Sequence, residues 1–180
     1  MRKNIVYLTG FMGSGKSTIG PILANTLGYQ YVDIDKEIET KENRSVKDIF
    51  SVNGETYFRE LEHSFLSEVS KQGFVVCSLG GGTVTRQDNL ELIKNNGVLV
   101  YLKTNPEHLF HRLRFKTDRP LLKPLPDQQI TEQELWKKVN TLLSEREKYY
   151  NQADIVVRTD KKKVGITVDE IVKKIHMLIE

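Results

Sequence analysis

The feature that most constrains the fold of this 180-residue chain is a glycine-rich segment, residues 10–17, which reads GFMGSGKS. It matches the pattern G-x-x-x-x-G-K-S/T at every fixed position. An apolar run from Ile5 to Leu8 precedes the segment, and a helical stripe of apolar residues follows it, comprising Ile19, Ile22, Leu23 and Leu27. The motif therefore lies between a predicted strand and a predicted helix, which is the context that a phosphate-binding P-loop requires.

The P-loop predicts a site for ATP together with Mg²⁺. Glycines let the loop fold tightly, so that its backbone N–H groups converge on the phosphates, and the following helix N-terminus adds positive potential. In this arrangement Lys16 reaches the β- and γ-phosphates, and the hydroxyl of Ser17 ligates Mg²⁺. The residues assigned to nucleotide binding are Gly13, Ser14, Gly15, Lys16, Ser17 and Thr18. Pro21 follows within the same helix, where it is expected to remove a hydrogen bond and introduce a kink.

Short apolar runs predict the strands of a single α/β domain. They cover residues 5–8, 31–34, 74–79, 98–102 and 155–157. Helical patterns separate them, which is the order typical of an α/β fold. Each run is nearly continuous in apolar residues and does not alternate with polar ones, as expected of parallel strands that helices cover on both faces.

Charge and composition exclude several other classes of protein. The 27 Lys and Arg residues against 24 acidic ones leave a net charge of +3, which is too small for a nucleic-acid-binding surface. No apolar run approaches the roughly 18 residues of a membrane span, and the apolar stretch behind the basic residues 1–4 is too short for a signal peptide. Cys77 is the only cysteine, so the chain cannot form an internal disulfide. We therefore expect a cytoplasmic monomer that binds neither nucleic acid nor membranes.

Two aspartates at the end of the second predicted strand are candidates for the acidic groups of the site. Residues two apart in an extended chain point the same way, so Asp33 and Asp35 are both expected to face the carboxyl edge of the sheet. Asp33 is assigned to the Mg²⁺ shell and Asp35 to the hydroxyl of the phosphate acceptor. The alternative is that one of the two only caps a helix that starts near Lys36.

Two arginines fall on the apolar sides of predicted helices. At 100° per residue, the helix over residues 54–69 carries Glu62 inside its apolar arc and Arg59 at the edge of that arc, three residues apart and able to pair. Arg146 falls in the middle of the apolar face of the helix before the last strand. Structural ion pairs are one explanation, since a buried charge needs a partner. The other is that both guanidinium groups bind a carboxylate of a small hydroxylated acid.

The triple glycine Gly80-Gly81-Gly82 follows the third predicted strand and would let the backbone approach such an acid closely, unless it is a plain loop. A different irregular stretch lies between Phe115 and Ile130, where three of the five prolines occur. A structureless stretch of this length inside a compact domain is usually a functional lid or a disordered segment.

Taken together, these residues identify a resemblance to shikimate kinase over essentially the full length of the chain. No single motif is specific, but the combination is. The matching pieces are residues 10–17, Asp33-Ile34-Asp35, Phe58-Arg59-Glu60-Leu61-Glu62, the triple glycine, Arg119-Pro120-Leu121-Leu122, Arg146 before Tyr150, and Ala153-Asp154.

The resemblance implies a fold, a reaction and further site residues. The expected fold is that of nucleoside-monophosphate kinases, with a five-stranded parallel sheet in the order 2-3-1-4-5, a substrate-binding region over about residues 34–62 and a mobile lid over about residues 112–130. The expected reaction is transfer of phosphate from ATP to the 3-hydroxyl of shikimate. The resemblance further implies that Asp35, Arg59, Gly81 and Arg146 hold shikimate, that Glu62 fixes Arg59, that Arg119 reaches the ATP phosphates from the closed lid, and that Arg112 lies against adenine.

Two other functions are compatible with parts of the sequence. A different hydroxy-acid kinase, such as gluconate kinase, would share the P-loop and an anionic polyol substrate. An inactive ATP-binding module would share the fold alone. Three features argue against gluconate kinase: the helix with Arg59 and Glu62, the triple glycine, and the segment from Arg119 to Leu122. An inactive module is disfavoured because Lys16, Asp35 and Arg119 are all intact.

Overall fold

The computed structural model describes residues 4–115, 122, 130–160 and 162–179. These residues form a five-stranded parallel sheet in the order β2-β3-β1-β4-β5, which confirms the predicted fold and strand order. The strands are β1 Ile5–Thr9, β2 Gln30–Asp33, β3 Val75–Ser78, β4 Val98–Lys103 and β5 Ile155–Arg158. The helices are α1 Lys16–Leu27, α2 Ile34–Glu42, α3 Val46–Val69, α4 Gln87–Asn96, α5 Pro106–Leu113, α6 Glu132–Tyr150 and α7 Val164–Ile179.

Helices cover both faces of the sheet, as the continuous apolar runs predict. Successive residues of a strand point to opposite faces, and β1 shows this directly: Ile5 and Tyr7 belong to one apolar cluster, Val6 and Leu8 to the other. Helices α2 to α6 pack on the Tyr7 side, and α1 and α7 pack on the Leu8 side. The edge strands β2 and β5 are the most open, and Val156 of β5 is 39% exposed.

Each observed strand differs from the predicted one by a single residue at one end or at both. Phe74, predicted to start the third strand, lies before β3 with a φ of 58° and packs edge-on against Tyr29. Ile34, predicted to end the second strand, is the first residue of α2, because the side chain of Asp33 caps that helix. Apolar character alone therefore extends a strand beyond the residues that pair in the sheet.

The helices follow the predicted apolar stripes with local differences. Helix α1 runs through Pro21, which is exposed. Helix α3 leaves helical geometry at Gly54, where φ is 82°, so the helix predicted over residues 54–69 is its second half. Ile22, which belongs to the predicted apolar stripe of α1, is 43% exposed instead of buried.

The predicted lid falls mostly outside the described residues. The structure describes its first part, from Arg112 to Phe115, and the single residues Leu122 and Ile130. Leu122 is buried against the cluster on the Tyr7 side, and its carbonyl accepts a hydrogen bond from Lys138 of α6. Across the described chain, no helix is both long and apolar enough to cross a membrane.

Candidate active site

A cavity of about 540 Å³ lies beyond the carboxyl ends of β1, β2 and β3. This is the edge at which open parallel α/β sheets bind their ligands. The P-loop follows β1, Asp33 ends β2, and the triple glycine comes directly after β3 and Leu79. Parallel strands therefore bring three segments that are distant in sequence to one cavity.

The P-loop backbone adopts conformations that favour glycine. Gly10, Gly13 and Gly15 have φ values of 145°, 82° and 103°, which residues with a Cβ rarely adopt. The Nζ atom of Lys16 donates hydrogen bonds to the carbonyls of Gly10 at 2.8 Å and of Phe11 at 3.3 Å. These contacts hold the ammonium group against the loop that is predicted to surround the phosphates.

Arg112 connects helix α5 to the P-loop. Its Nη1 atom donates a 2.8 Å hydrogen bond to the carbonyl of Gly13, and the residue lines the cavity. Its predicted contact with adenine remains a prediction. Arg119, predicted to reach the phosphates, lies outside the described residues.

The two aspartates do not share one extended segment, so the predicted geometry is wrong. Asp33 ends β2 and caps α2, accepting a long 3.4 Å bond from the Lys36 N–H, whereas Asp35 lies in the first turn of that helix. The capping alternative is therefore correct for Asp33. Both residues nevertheless line the cavity, because the cap turns the chain at the sheet edge.

Tyr31 holds the second oxygen of Asp33. Its hydroxyl donates to Asp33 Oδ2 at 3.2 Å, and burial together with the Asp33 charge raises the pKa of Tyr31, so that the hydroxyl keeps its proton. The ring lies so close to Gly20 of α1 that a Cβ on that glycine would overlap with it. Tyr31 of β2 thus packs against α1 through its ring and holds the carboxylate of Asp33 through its hydroxyl.

Arg59 and Glu62 form the predicted pair inside helix α3. Glu62 is fully buried, and Arg59 Nη1 contacts its Oε2 atom, while Arg59 Nη2 reaches Glu55 at 2.7 Å. Burial alone would lower the pKa of Arg59, but the charge of Glu62 and its hydrogen bond raise the pKa above the ordinary value. Arg59 is therefore a permanent cation beside the cavity. The second oxygen of Glu62 accepts a 2.6 Å bond from the hydroxyl of Thr83.

Arg146 differs from Arg59 in having no carboxylate partner among the described residues. It is 8% exposed and lines the cavity, yet none of the ion pairs found in the described part of the chain includes it. The structural ion-pair explanation thus holds for Arg59 but finds no support for Arg146. A nearly buried guanidinium group on a cavity wall is suited to an anionic ligand.

The triple glycine packs directly against these charged groups. A Cβ on Gly80 would overlap with Glu62 Oε1 and lie 3.0 Å from Asp35 Oδ1. On Gly82 it would lie 2.7 Å from Arg59 Nη2, and on Gly81 3.4 Å from Arg146 Nη1. The segment is therefore more than a plain loop, since a side chain at Gly80 would displace Glu62 and one at Gly82 would displace Arg59.

We expect Gly80→Ala to destabilise the protein, because the buried carboxylate of Glu62 is held on both sides and cannot move away from the new methyl group. Overpacking of this kind costs about 1–3 kcal/mol, and each kcal/mol lowers the melting temperature of a chain this size by about 2–4 °C. Thermal unfolding followed by circular dichroism measures the change. Gly73→Ala is the control, since a Cβ there meets nothing within 4 Å; equal melting of the two variants would contradict this account.

Several residues on the cavity wall had no signal in the local sequence pattern. Thr159 lines the cavity just after β5, and its hydroxyl lies 2.7 Å from that of Thr104. Lys162 and Val164 also line the cavity. Their position at the carboxyl edge of the sheet is the only indication that could have selected them.

Comparison with known proteins adds a family to this geometry. The family model described as shikimate kinase matches residues 12–176. A shikimate kinase of Chlorobaculum tepidum is 46% identical over 173 residues, which are 96% of this chain and 91% of that protein. The solved structure of shikimate kinase from Acinetobacter baumannii in complex with shikimate superposes with a TM-score of 0.89 at 32% identity, covering 97% of this chain and 94% of that one.

The chain belongs to the shikimate kinase family. The fold alone is more widely shared: a gluconokinase from Sinorhizobium meliloti superposes with a TM-score of 0.59 at 16% identity, over 99% of this chain and 94% of that one. Similarity at this level concerns the arrangement of strands and helices. Membership of the shikimate kinase family instead agrees with the resemblance that the P-loop, the aspartates, the arginines and the triple glycine indicate.

Proposed function

We propose that this chain transfers the γ-phosphate of ATP to the 3-hydroxyl of shikimate, giving shikimate 3-phosphate and ADP in the pathway to chorismate and the aromatic amino acids. The observation that carries the proposal is Arg146, a nearly buried guanidinium group that lines the same cavity as the P-loop and has no carboxylate partner among the described residues. A carboxylated acceptor would supply that partner. The bidentate shape of guanidinium suits a planar carboxylate better than it suits a neutral polyol.

The two substrates would occupy different ends of the cavity. ATP phosphates would lie on the P-loop, against residues 13–18, with Arg112 nearby and Arg119 reaching them from the lid. Shikimate would lie between α3, α6 and the triple glycine, held by Arg59, Arg146 and the backbone of residues 80–82. The lid would exclude water, which otherwise competes as phosphate acceptor.

Mg²⁺ fits the residues at the P-loop end. This ion keeps several waters and is usually bound by one or two carboxylates together with substrate phosphates. The hydroxyl of Ser17 and the carboxylate of Asp33 line one cavity and provide oxygen ligands of that kind. When bound, Mg²⁺ neutralises charge on the β- and γ-phosphate oxygens.

The chain's own groups then have separate tasks in the transfer. Asp35 would orient the acceptor hydroxyl and take its proton as the oxygen attacks the γ-phosphorus and the bond to the β-phosphate oxygen breaks. Lys16 and Arg119 would stabilise the charge on the transferred group. Glu62 would hold Arg59 in place and need not touch the substrate.

The proposal also includes the state in which the chain works. One chain by itself brings Lys16, Asp35, Arg59 and Arg146 to one cavity, so the proposed active state is a monomer, and a cytoplasmic location would give it access to ATP. Size-exclusion chromatography with light scattering measures the mass, and an active species of the monomer mass of 20.8 kDa is expected.

The experiment that tests the function is a coupled assay of ADP release with shikimate, gluconate and nucleoside monophosphates as acceptors. We expect turnover with shikimate and at most background with the others. Turnover only with gluconate would support the rival kinase, and ATP binding without turnover on any acceptor would support an inactive module.

Arg146→Lys is expected to raise the shikimate KM about ten- to hundredfold and to leave the ATP KM nearly unchanged. A lysine keeps the charge but cannot donate two parallel bonds, and a charge-assisted hydrogen bond contributes about 1.5–3 kcal/mol. Steady-state kinetics with each substrate varied in turn measures both constants. Arg158→Lys, an exposed residue at the end of β5, is the control; an unchanged shikimate KM in Arg146→Lys would remove the main support for a carboxylated acceptor.

A further inference from the structure

We propose that the hydroxyl of Tyr150 is a positioning group that fixes Arg146 and the backbone of Gly81 to each other, so that both meet the acceptor carboxylate as one preformed unit. The inference rests on the proposed function and extends it to a residue with no role in the mechanism described above. It also explains what holds a guanidinium group for which the described part of the chain provides no carboxylate partner.

The geometry brings the Tyr150 hydroxyl, the Gly81 peptide and Arg146 close together. Tyr150 follows Arg146 by one turn of α6 and is fully buried. Its hydroxyl donates a hydrogen bond of 2.5 Å to the carbonyl of Gly81, 69 residues away in sequence. Arg146 lies beside the same peptide, since its Nη1 atom is 3.4 Å from the position that a Cβ on Gly81 would occupy, and its charge acts on the Tyr150 hydroxyl.

The donor and acceptor chemistry of Arg146, Tyr150 and the Gly81 carbonyl leaves one consistent arrangement of the three groups. Arginine can only donate, and a carbonyl can only accept. The single proton of the hydroxyl therefore points to Gly81, which leaves its lone pairs available to Arg146. In the proposed unit, the guanidinium group donates to the Tyr150 oxygen, and that hydroxyl donates to the backbone of the triple glycine.

The surroundings keep this arrangement in place over the working pH range. The ring of Tyr150 packs against that of Tyr101 on β4, with 5.1 Å between the ring centroids and an angle of 32° between the ring planes. Burial raises the pKa of Tyr150 to about 12, although Arg146 acts in the opposite direction. The hydroxyl thus retains the proton that the Gly81 carbonyl needs.

Preorganisation gives the contact its expected effect on binding. A long arginine side chain that is free to move loses conformational freedom when it binds a ligand. Tyr150 removes much of that freedom before the ligand binds. It also fixes the position of the Gly81 peptide, on which a Cβ would lie 3.4 Å from Arg146 Nη1. Removal of the hydroxyl should therefore weaken binding of the acceptor carboxylate and leave ATP binding at the P-loop unchanged.

Tyr150→Phe tests the inference, because it removes one oxygen and keeps the stacked ring. We expect the shikimate KM, and the shikimate Kd measured by calorimetry, to rise about tenfold, the effect of one charge-assisted hydrogen bond, with the ATP KM changing less than about twofold. Tyr149→Phe is a matched control one residue earlier, at a half-buried tyrosine outside the cavity lining. Kinetics are taken at a temperature where thermal melts show every variant to be folded.

A double-mutant cycle separates positioning from general loosening of the fold. If Tyr150 acts through Arg146, adding Tyr150→Phe to Arg146→Lys should raise the shikimate KM much less than it does in the wild-type background. A purely additive result, or equal KM values for Tyr150→Phe and Tyr149→Phe, would overturn the inference. Absence of shikimate turnover in the wild-type protein would instead overturn the proposed function, so the two failures are distinguishable.

Discussion

Asp35→Asn is expected to lower kcat for shikimate phosphorylation by about 10²–10⁴-fold, the range for loss of a general base. Asparagine keeps the size of the side chain and can still accept a hydrogen bond from the acceptor hydroxyl, but its amide cannot take the proton. Glu62, the described carboxylate across Gly80, is no simple replacement, because Arg59 and Thr83 already engage it. ADP release at saturating concentrations of both substrates measures the effect.

ATP binding distinguishes this variant from a misfolded one. Asp35 lies at the acceptor end of the cavity in our assignment, so calorimetry should give an ATP Kd close to that of the wild type. Asp169→Asn removes an exposed carboxylate from α7 and is the control for the change in charge. A kcat within a few-fold of the wild type would show that another group accepts the proton.

Lys16→Ala should reduce kcat by about 10²–10³-fold or more, the loss expected when one preorganised donor to developing charge is removed. Unlike Asp35→Asn, it should also weaken ATP binding, since Lys16 would contact phosphate in the ground state as well. The ammonium group already lies against the loop carbonyls of Gly10 and Phe11, so a short movement would bring it to the phosphates.

Calorimetry with ATP and single-turnover kinetics measure the two effects of Lys16→Ala separately. Lys173→Ala, at an exposed position on α7, controls for the loss of one positive charge. Normal ATP affinity together with normal turnover in Lys16→Ala would contradict the assignment of residues 10–17 as the nucleotide site.

Sequence patterns predict this fold well because its signals are local and repeated. The P-loop carries its strand and helix with it, and continuous apolar runs indicate a parallel sheet with two covered faces. The pairing of Arg59 with Glu62 also follows from helical spacing alone. Each of these depends on residues that lie within a few positions of one another.

The errors arise where two local signals compete or where a contact is distant in sequence. At Asp33 the strand pattern and the capping preference of aspartate overlap, and the cap decides where β2 ends. Thr83 and Tyr150 meet Glu62 and Gly81 across 21 and 69 residues. No periodicity reports such contacts, because they exist only after the sheet has brought three chain segments to one edge.

The packing of the triple glycine also bears on inhibitor resistance. Resistance by substitution requires a position that can change shape against the drug while the enzyme keeps working. Gly80 and Gly82 leave no such position, since an added methyl group would meet Glu62 or Arg59 before it met a bound compound, and a Cβ on Gly81 would lie 3.4 Å from Arg146 Nη1. A compound that makes its main contacts with this backbone would thus leave the protein few substitutions by which to escape it.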